Sequence, residues 1–561
     1  MDFVGISCFY HDSSACLVRD GKVIAAAQEE RFSRKKNTDE FPIHTLNFLS
    51  HKGNFLFKDV NGLAYFEKPY LKFSRVILQH LNSFPFSLQH FINSMPNWMG
   101  DRLALPPLIH EELSTNAPVF FLPHHLSHAA SSFLPSPFEE AAILTCDGVG
   151  EWTTMSLGHG IGSKIKIGNE INYPDSLGLL YSTFTMFFGF HSYGSEGKTM
   201  AMAAFGEPRY QKEFEELIKV FDDGSFKLNL KYFSFINGKK MWNKRFELLF
   251  GRPHVKSEMF DQRFFDIAAT LQIVLEKILI LASRNLAKKT NSKNLCLAGG
   301  VALNCVANAK ILEETSFQEI YIQPAAGDAG GAIGSALYMS NVINKEPRHY
   351  LSHSFLGPEY NETEILIALK LNKMTNYQKL DEELLLKKTA KAIYDNKIIG
   401  WFQGKMEFGP RALGGRSILA NPCNPKMKDI INSRIKKREN FRPFAPMVLE
   451  NLCSEFFELN IKSPFMLLAP KVKESKKNLI PSIVHADGTA RVQTIEKNEN
   501  RLVYKLIEEF EKLSTVPILL NTSFNGNGEP VVCSPKDAVD CFKRIDLDVL
   551  VIGDYWVEKN S

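Results

Sequence analysis

The chain has 561 residues, enough for two or three folding units. Hydrophobic residues make up 44% and charged residues 23%, which excludes extended disorder. With 66 basic against 62 acidic residues the net charge is only +4, which argues against a dedicated nucleic-acid binder.

The 43 phenylalanines read as core filling, not as base-stacking platforms. Nine cysteines, with no C-x-x-C pair, fit buried free thiols in a reducing compartment better than a disulfide framework or a zinc site. The start, MDFVGISCFYHD, lacks the basic and apolar regions of a signal peptide. The most apolar helix-like run, Ile278–Ala282, is far short of the roughly 20 residues that span a bilayer. A cytoplasmic protein without a membrane partner is expected.

In chain order, Asp2–Tyr10 reads as a strand, followed by Ala15–Val18 and Lys22–Ala27 joined at Arg19-Asp20-Gly21. Asp-Gly between apolar runs signals a type I′ hairpin, which needs positive φ. The layout returns at Ala141–Asp147, Thr153–Leu157 and Lys164–Ile167, which predicts two related halves around a cleft. Phe265–Lys289 has the apolar spacing of a long helix. Strand Asn294–Leu297, the turn Ala298-Gly299-Gly300 and helix Asn304–Glu314 follow, then strand Ile320–Gln323, the turn Ala325–Asp328 and helix Gly330–Ser340. Strand, glycine turn, helix, twice over, is the layout of α/β nucleotide sites. A domain boundary falls at Glu346–Tyr360, dividing the chain into 1–350 and 351–561. The second part contains helix Glu382–Asn396, strand Ile398–Phe402, strand Phe444–Leu449, helix Glu499–Leu513, strand Val516–Leu520, helix Pro535–Arg544 and strand Asp548–Gly553.

Three sets of residues could carry chemistry. His124 and His128 are at i and i+4, so both imidazoles lie on one helix face. That spacing suits two metal ligands, and equally an ordinary pair of helix histidines. Position 125 is His, so the H-E-x-x-H protease pattern is absent. Asp147 and Asp328, at a strand end and a glycine turn, could complete a mixed N/O set suited to Fe, Mn or Zn more than to Ca or Mg. His11, at the end of the first strand, is either a cleft general base or a structural histidine. In the second part, Glu407–Ser417 and Lys436–Phe444 set arginines among glycines, prolines and aromatics, with Arg491 a further candidate. The planar guanidinium fork suits phosphate, the alternative being a basic surface strip.

These motifs resemble the NodU/CmcH family of O-carbamoyltransferases along essentially the whole chain. The matching stretches are His11-Asp-Ser-Ser-Ala15, Glu30–Lys36, His124–His128, Asp147-Gly148, Ser195–Lys198, Gly299–Asn304 and Gly327-Asp328, then Glu407–Ser417, Lys436–Pro446, Asp487–Thr494 and Leu520–Asn525. The resemblance implies an α/β protein with a duplicated actin/sugar-kinase-like (ASKHA) N-terminal domain, similar to the tRNA threonylcarbamoyl transferases, and a YrdC-like C-terminal domain. It implies that the second domain cleaves carbamoyl phosphate, that carbamate passes internally to the first domain and attacks ATP, and that the carbamoyl adenylate carbamoylates an acceptor hydroxyl. An enclosed route suits carbamate, which is unstable in water. By position, His124, His128, Asp147 and Asp328 are similar to the family's iron ligands, for Fe2+ or another divalent transition metal. Lys36, Gly299, Gly300 and Asn304 resemble the adenylate-binding set. Arg411, Lys436, Arg442, Arg491, Asn521 and Ser523 match the carbamoyl-phosphate site, and His11 matches the proposed base. Lys198 touches nucleotide or only orients its loop. Gly415 stands where many members have Asn, a change that could loosen the Arg416 loop. The implied partner is a small hydroxylated sugar or natural product, with no nucleic acid, and its pocket is expected in loops such as Tyr65–Pro107. A sugar kinase of the same superfold, a tRNA threonylcarbamoylation fusion and a non-catalytic binding protein are the rival readings. Neither the acceptor nor the oligomeric state can be read from the sequence.

Overall fold

A computed structural model describes residues 1–85, 87–191, 194–235 and 240–559. They form two compact units: Met1–Glu29 with Asn37–Leu351, and Glu30–Lys36 with Ser352–Ser561.

The first unit contains two five-stranded sheets of the same topology. In one, strand Asp2–Ser7 pairs antiparallel with Ser14–Arg19, which pairs antiparallel with Lys22–Gln28. On its other edge it pairs parallel with Gly62–Tyr65, and that strand with Val119–Phe121. In the other sheet, Glu140–Cys146 takes the central place, with antiparallel Thr153–Ile161 and Lys164–Asn172 on one side and parallel Asn294–Ala298 and Glu319–Ile322 on the other. The duplication expected from the hairpins is thus complete, and the unit has the actin/sugar-kinase-like arrangement. The first hairpin turns at Asp20 (φ 50°) and Gly21 (φ 80°), the two positive angles a type I′ turn requires.

Helix Asp328–Leu337 is buried along its length, with close approaches to strand Asp2–Ser7 and helix His124–Phe133. Glycine makes this possible. A Cβ on Gly5 would stand 1.8 Å from the Ala332 carbonyl oxygen, and one on Gly334 1.9 Å from that of Ser127. Either would force the elements apart, at a cost of about 1–3 kcal/mol. This packing brings the N-terminus of one helix against the first turn of the other, and so Asp328 against His124 and His128.

Many phenylalanines fill the interior, as read from composition. Phe184 alone meets Phe214, Phe246 and Phe250 at 5.0–5.1 Å between ring centres. All nine cysteines are free thiols, eight of them buried. Among the described residues no helix is long and apolar enough to cross a membrane. The segment expected to be loops at Tyr65–Pro107 is largely helical, with helices Pro69–Asn82, Leu88–Asn97 and Leu105–Leu113, while Phe86 lies outside the described residues. Pro69 at the first helical position, where a missing N–H costs nothing, starts the first of these.

The second unit is built on a mixed eight-stranded sheet in the order Tyr377–Lys379, Tyr555–Val557, Val549–Ile552, Ile399–Phe402, Arg416–Ala420, Ile518–Ser523, Ala445–Leu449, Gln493–Ile495. Helices Glu382–Tyr394 and Arg501–Ser514 supply Leu385, Ile393, Leu506 and Phe510 to a core around Trp401. The segment Glu30–Lys36 is tied into this unit by backbone acceptors: Arg31 Nη2 donates to Gly409 O (2.9 Å) and Arg34 Nη1 to Val531 O (2.7 Å).

Candidate functional site

In the first unit, His124 opens helix His124–Phe133, and Glu151 accepts its backbone N–H at 3.0 Å. A carboxylate there also complements the helix dipole. One turn later His128 lies on the same face. Asp147 follows strand Glu140–Cys146, where Ser176 Oγ donates to Gly148 O (2.6 Å) and Gly300 N–H donates to Asp147 Oδ1 (2.9 Å). Gly299, at φ 92°, lets its turn approach the Cys146 backbone, where a Cβ would stand 2.2 Å from the carbonyl oxygen.

The four side chains converge. His124 Nε2 lies 3.0 Å from His128 Nε2 and 3.1 Å from Asp147 Oδ2. His128 Nε2 is 3.4 Å from Asp147 Oδ2, and Asp328 Oδ1 is 3.6 and 3.7 Å from the two Nε2 atoms. One ligand atom from each residue fits within 4.8 Å of all the others. First-row metal–ligand bonds of about 2.0–2.2 Å place ligand atoms roughly 3–4.4 Å apart, so the set fits a cation. The hydrogen bonding points the same way. Both Asp328 oxygens are buried and accept no hydrogen bond, and the two Nε2 atoms face one another. Burial opposes charge on His124 and His128, but the Asp147 and Asp328 carboxylates outweigh it and raise both above an ordinary imidazole.

His11 Nε2 is 3.8 Å from Asp328 Oδ2, and its Nδ1 is 3.0 Å from Asp12 Oδ2. Burial pulls its pKa down, but Asp328 and Asp12 prevail and push it up to about 9. With those carboxylates unneutralised the imidazole is protonated at neutral pH. A cation held between Asp147 and Asp328 would remove part of that pull.

The other residues expected around a nucleotide are differently placed. Asn304 caps helix Cys305–Glu314, accepting from Ala307 N–H (3.0 Å), and exchanges hydrogen bonds with Gln272 at 2.9 and 3.1 Å. Lys198 lies on helix Glu196–Ala203 with its ammonium 4.8 Å from the Phe190 ring centre. Lys36 belongs to the second unit, close enough to Lys436 to act on it electrostatically.

In that unit Lys436 is buried and donates to Ser523 O (2.6 Å), Asn525 Oδ1 (2.8 Å) and Asn525 O (3.0 Å). All these partners are uncharged. Burial, and then the charge of Arg438, pushes its ammonium well below the ordinary lysine value, with Arg442 and Lys36 adding to the effect. Burial followed by Arg442 and Arg491 lowers Arg438 to about 9. Arg442 is lowered too, mainly by burial, and Arg491 adds to this while Glu439, 3.9 Å away, opposes it. Asn521 Nδ2 donates to Ala412 O (2.8 Å), next to Arg411 in the chain, and its buried Oδ1 has no hydrogen-bond partner. Arg438 belongs to the same basic motif, but its spacing alone does not mark it as a site residue. Its mutual repulsion with Arg442 and Arg491 is visible only once the chain is folded.

Arg416, in the same motif, has another role. It is fully buried over the Phe402 ring at 3.6 Å and donates to the carbonyls of Gln403, Gly404, Gly415, Pro358 and Cys533. Glu407 Oε1 accepts from the N–H groups of Leu413, Gly415 and Arg416 at 2.7–3.1 Å, so the loop around Gly415 is held tightly. A Cβ on Gly415 would stand 2.7 Å from Lys405 O, which accounts for the small residue there.

A family model described as the carbamoyltransferase N-terminus matches residues 2–337, and one described as the carbamoyltransferase C-terminus matches residues 390–559. An uncharacterised protein of Synechocystis sp. is 42% identical, across 100% of this chain and 97% of its own length. Nodulation protein NolNO of Sinorhizobium fredii is 38% identical, across 99% of this chain and 80% of that protein. Among solved structures, the ROK hexokinase of Thermus thermophilus is similar at a TM-score of 0.31 and 15% identity, covering 60% of this chain and 98% of that one. HypF of T. kodakarensis is similar at 0.34 and 14%, covering 62% of this chain and 48% of that one.

Proposed function

The chain belongs to the carbamoyltransferase family, and on that premise we propose that it is an ATP-dependent O-carbamoyltransferase acting on a hydroxyl of a small sugar or natural product. The observation that carries this reading is the cationic cluster of buried Lys436 with half-buried Arg438, Arg442 and Arg491, whose charges repel one another and call for an anion. Carbamoyl phosphate is the anion that fits both the family and this chemistry. Lys436, Arg442, Arg491 and Arg411 hold its phosphate, with Asn521 and Ser523 on the carbamoyl side. Lys36 is assigned to this set and not to the adenylate, because it acts electrostatically on Lys436. Water cleaves carbamoyl phosphate to carbamate and inorganic phosphate, and the cations stabilise the leaving phosphate.

In the first unit, a carbamate oxygen attacks the α-phosphate of ATP and pyrophosphate leaves. The glycine turn at Gly299-Gly300 gives the nucleotide close backbone approach. His124, His128, Asp147 and Asp328 would hold a divalent transition metal, Fe2+ among the candidates. When bound it supplies Lewis-acid stabilisation of developing phosphate charge. His11 takes the proton of the acceptor hydroxyl, whose oxygen attacks the carbamoyl carbon and expels AMP. The test is to supply carbamoyl phosphate, ATP and a panel of hydroxylated acceptors, with mass spectrometry of the products. The expected products are phosphate, pyrophosphate, AMP and an acceptor heavier by one carbamoyl group. ADP with a phosphorylated acceptor would instead identify a kinase.

A further inference from the structure

Arg75 stands apart from the other buried cations of the first unit. It projects from helix Pro69–Asn82 and is 6% exposed. Lys72, one turn earlier and 4% exposed, is paired with Glu67 at 2.7 Å. Arg75 has no such partner. Among the described residues no carboxylate lies within ion-pair distance of it, and its buried Nε–H makes no hydrogen bond. An aromatic ring lies against it: the guanidinium carbon is 5.3 Å from the centre of the Tyr173 ring. The nearest acids are engaged elsewhere. Glu67 is bound to Lys72 and faces His124 Nδ1 at 3.6 Å, and Glu151 accepts the backbone N–H groups of His124 and Lys68. Burial therefore dominates, and Arg75 is held below an ordinary arginine although Tyr10, Tyr173, Glu67 and Glu151 all favour its charge.

A buried guanidinium with five donors and no anion is costly, and an arriving carboxylate or phosphate satisfies it in bidentate fashion. Its location identifies the ligand. The Lys72 ammonium lies 4.4 Å from the Tyr10 ring centre, the Tyr10 ring is 4.7 Å from that of His11, and His11 faces Asp328. Tyr10, which acts electrostatically on Arg75, thus links the arginine to the histidine assigned to the acceptor hydroxyl, and Arg75 lies in the segment where the acceptor pocket is expected. Resting on the carbamoyl-transfer reading above, we propose that Arg75 receives an acidic group of the acceptor, so that the natural acceptor is an anionic hydroxylated molecule, bearing a carboxylate or phosphate, and not a neutral or cationic one. Tyr10 and Tyr173 would flank that group.

The test uses the full chain without carbamoyl phosphate, in an Arg442→Ala background that removes the anion site of the second unit. Sulfate, glucuronate, glucose and ATP are titrated separately by calorimetry into this protein and into Arg75→Met and Arg75→Lys versions. Charge-assisted hydrogen bonds are worth about 1.5–3 kcal/mol, so Arg75→Met should weaken sulfate and glucuronate roughly 10–100-fold. Arg75→Lys should recover much of the loss, and glucose and ATP should be unaffected. Sulfate binding unchanged by Arg75→Met overturns the proposal, as does glucuronate binding no better than glucose. Equal weakening of ATP assigns Arg75 to the nucleotide phosphates and also overturns it. Should Arg75→Met fail to fold, Arg75→Gln takes its place. Phosphate release from carbamoyl phosphate, measured on protein with Arg442 intact, tests the underlying reading independently of these binding results.

Discussion

In the first unit, buried carboxylates lack enough hydrogen-bond donors, so Asp147 and Asp328 draw His11, His124 and His128 toward the protonated form. In the second unit the imbalance is reversed: burial first, and then repulsion from neighbouring cations, displaces buried Lys436 and half-buried Arg438 and Arg442 toward the neutral form. The direction of displacement reports the sign of what each site lacks. On the proposed reading the first is completed by a cation and the second by an anion.

The largest expected effect removes one environment and leaves the other. His128→Ala should abolish metal binding, measured as bound metal per chain, together with adenylate formation, while phosphate release from carbamoyl phosphate continues. Metal analysis of active wild-type protein that finds no metal would break the assignment. The converse variant, Arg442→Ala, should abolish phosphate release while ATP binding by the first unit stays nearly intact. Equal loss of both activities in a folded variant would count against separate sites.

His11→Asn sharpens the comparison within the first unit. It keeps size and some hydrogen bonding but removes the base. Metal binding and exchange of pyrophosphate into ATP should persist, whereas transfer to acceptor falls by about 10²–10⁴-fold. Near-normal transfer would leave His11 a structural role only. The smallest effect separates the structural arginine from the ligand-binding ones. Arg416→Met removes the side-chain donor from five backbone carbonyls, of which those of Gly415 and Pro358 keep a backbone N–H, and should destabilise the second unit by about 3 kcal/mol. For a unit of this size that lowers its melting temperature by roughly 6–12 °C. Arg442→Ala should barely move it, since Arg442 meets no backbone carbonyl framework of that kind. Similar melting shifts for both variants would erase the distinction.

Much of the fold was legible because local rules carried it. The Asp20-Gly21 hairpin, the long helix now seen at Gln262–Thr290 and helix Pro535–Arg544 follow from turn chemistry, apolar period and capping. Strand Arg416–Ala420 was hidden, because a strand opening on a buried arginine has no apolar signature and depends on carbonyls far along the chain. Helix Pro69–Asn82 was obscured by its polar content, with Lys72 and Arg75 buried on the inner side.

The same division runs through the candidate sites. The sequence by itself determined which residue types were present and that His124 and His128 share a helix face, since that follows from helical period alone. It also determined the family, through motifs spread along the whole chain. Only the tertiary structure decided that Asp147 and Asp328 meet those histidines, that the segment Glu30–Lys36 folds with the second unit, that Arg416 is held by carbonyls, and that among the described residues Arg75 has no ion-pair partner. The reason is physical. Spacing along one element sets which side chains share a face, but burial and charge balance depend on groups brought together from distant parts of the chain, and those two quantities decide whether a polar residue is satisfied or waiting for a ligand.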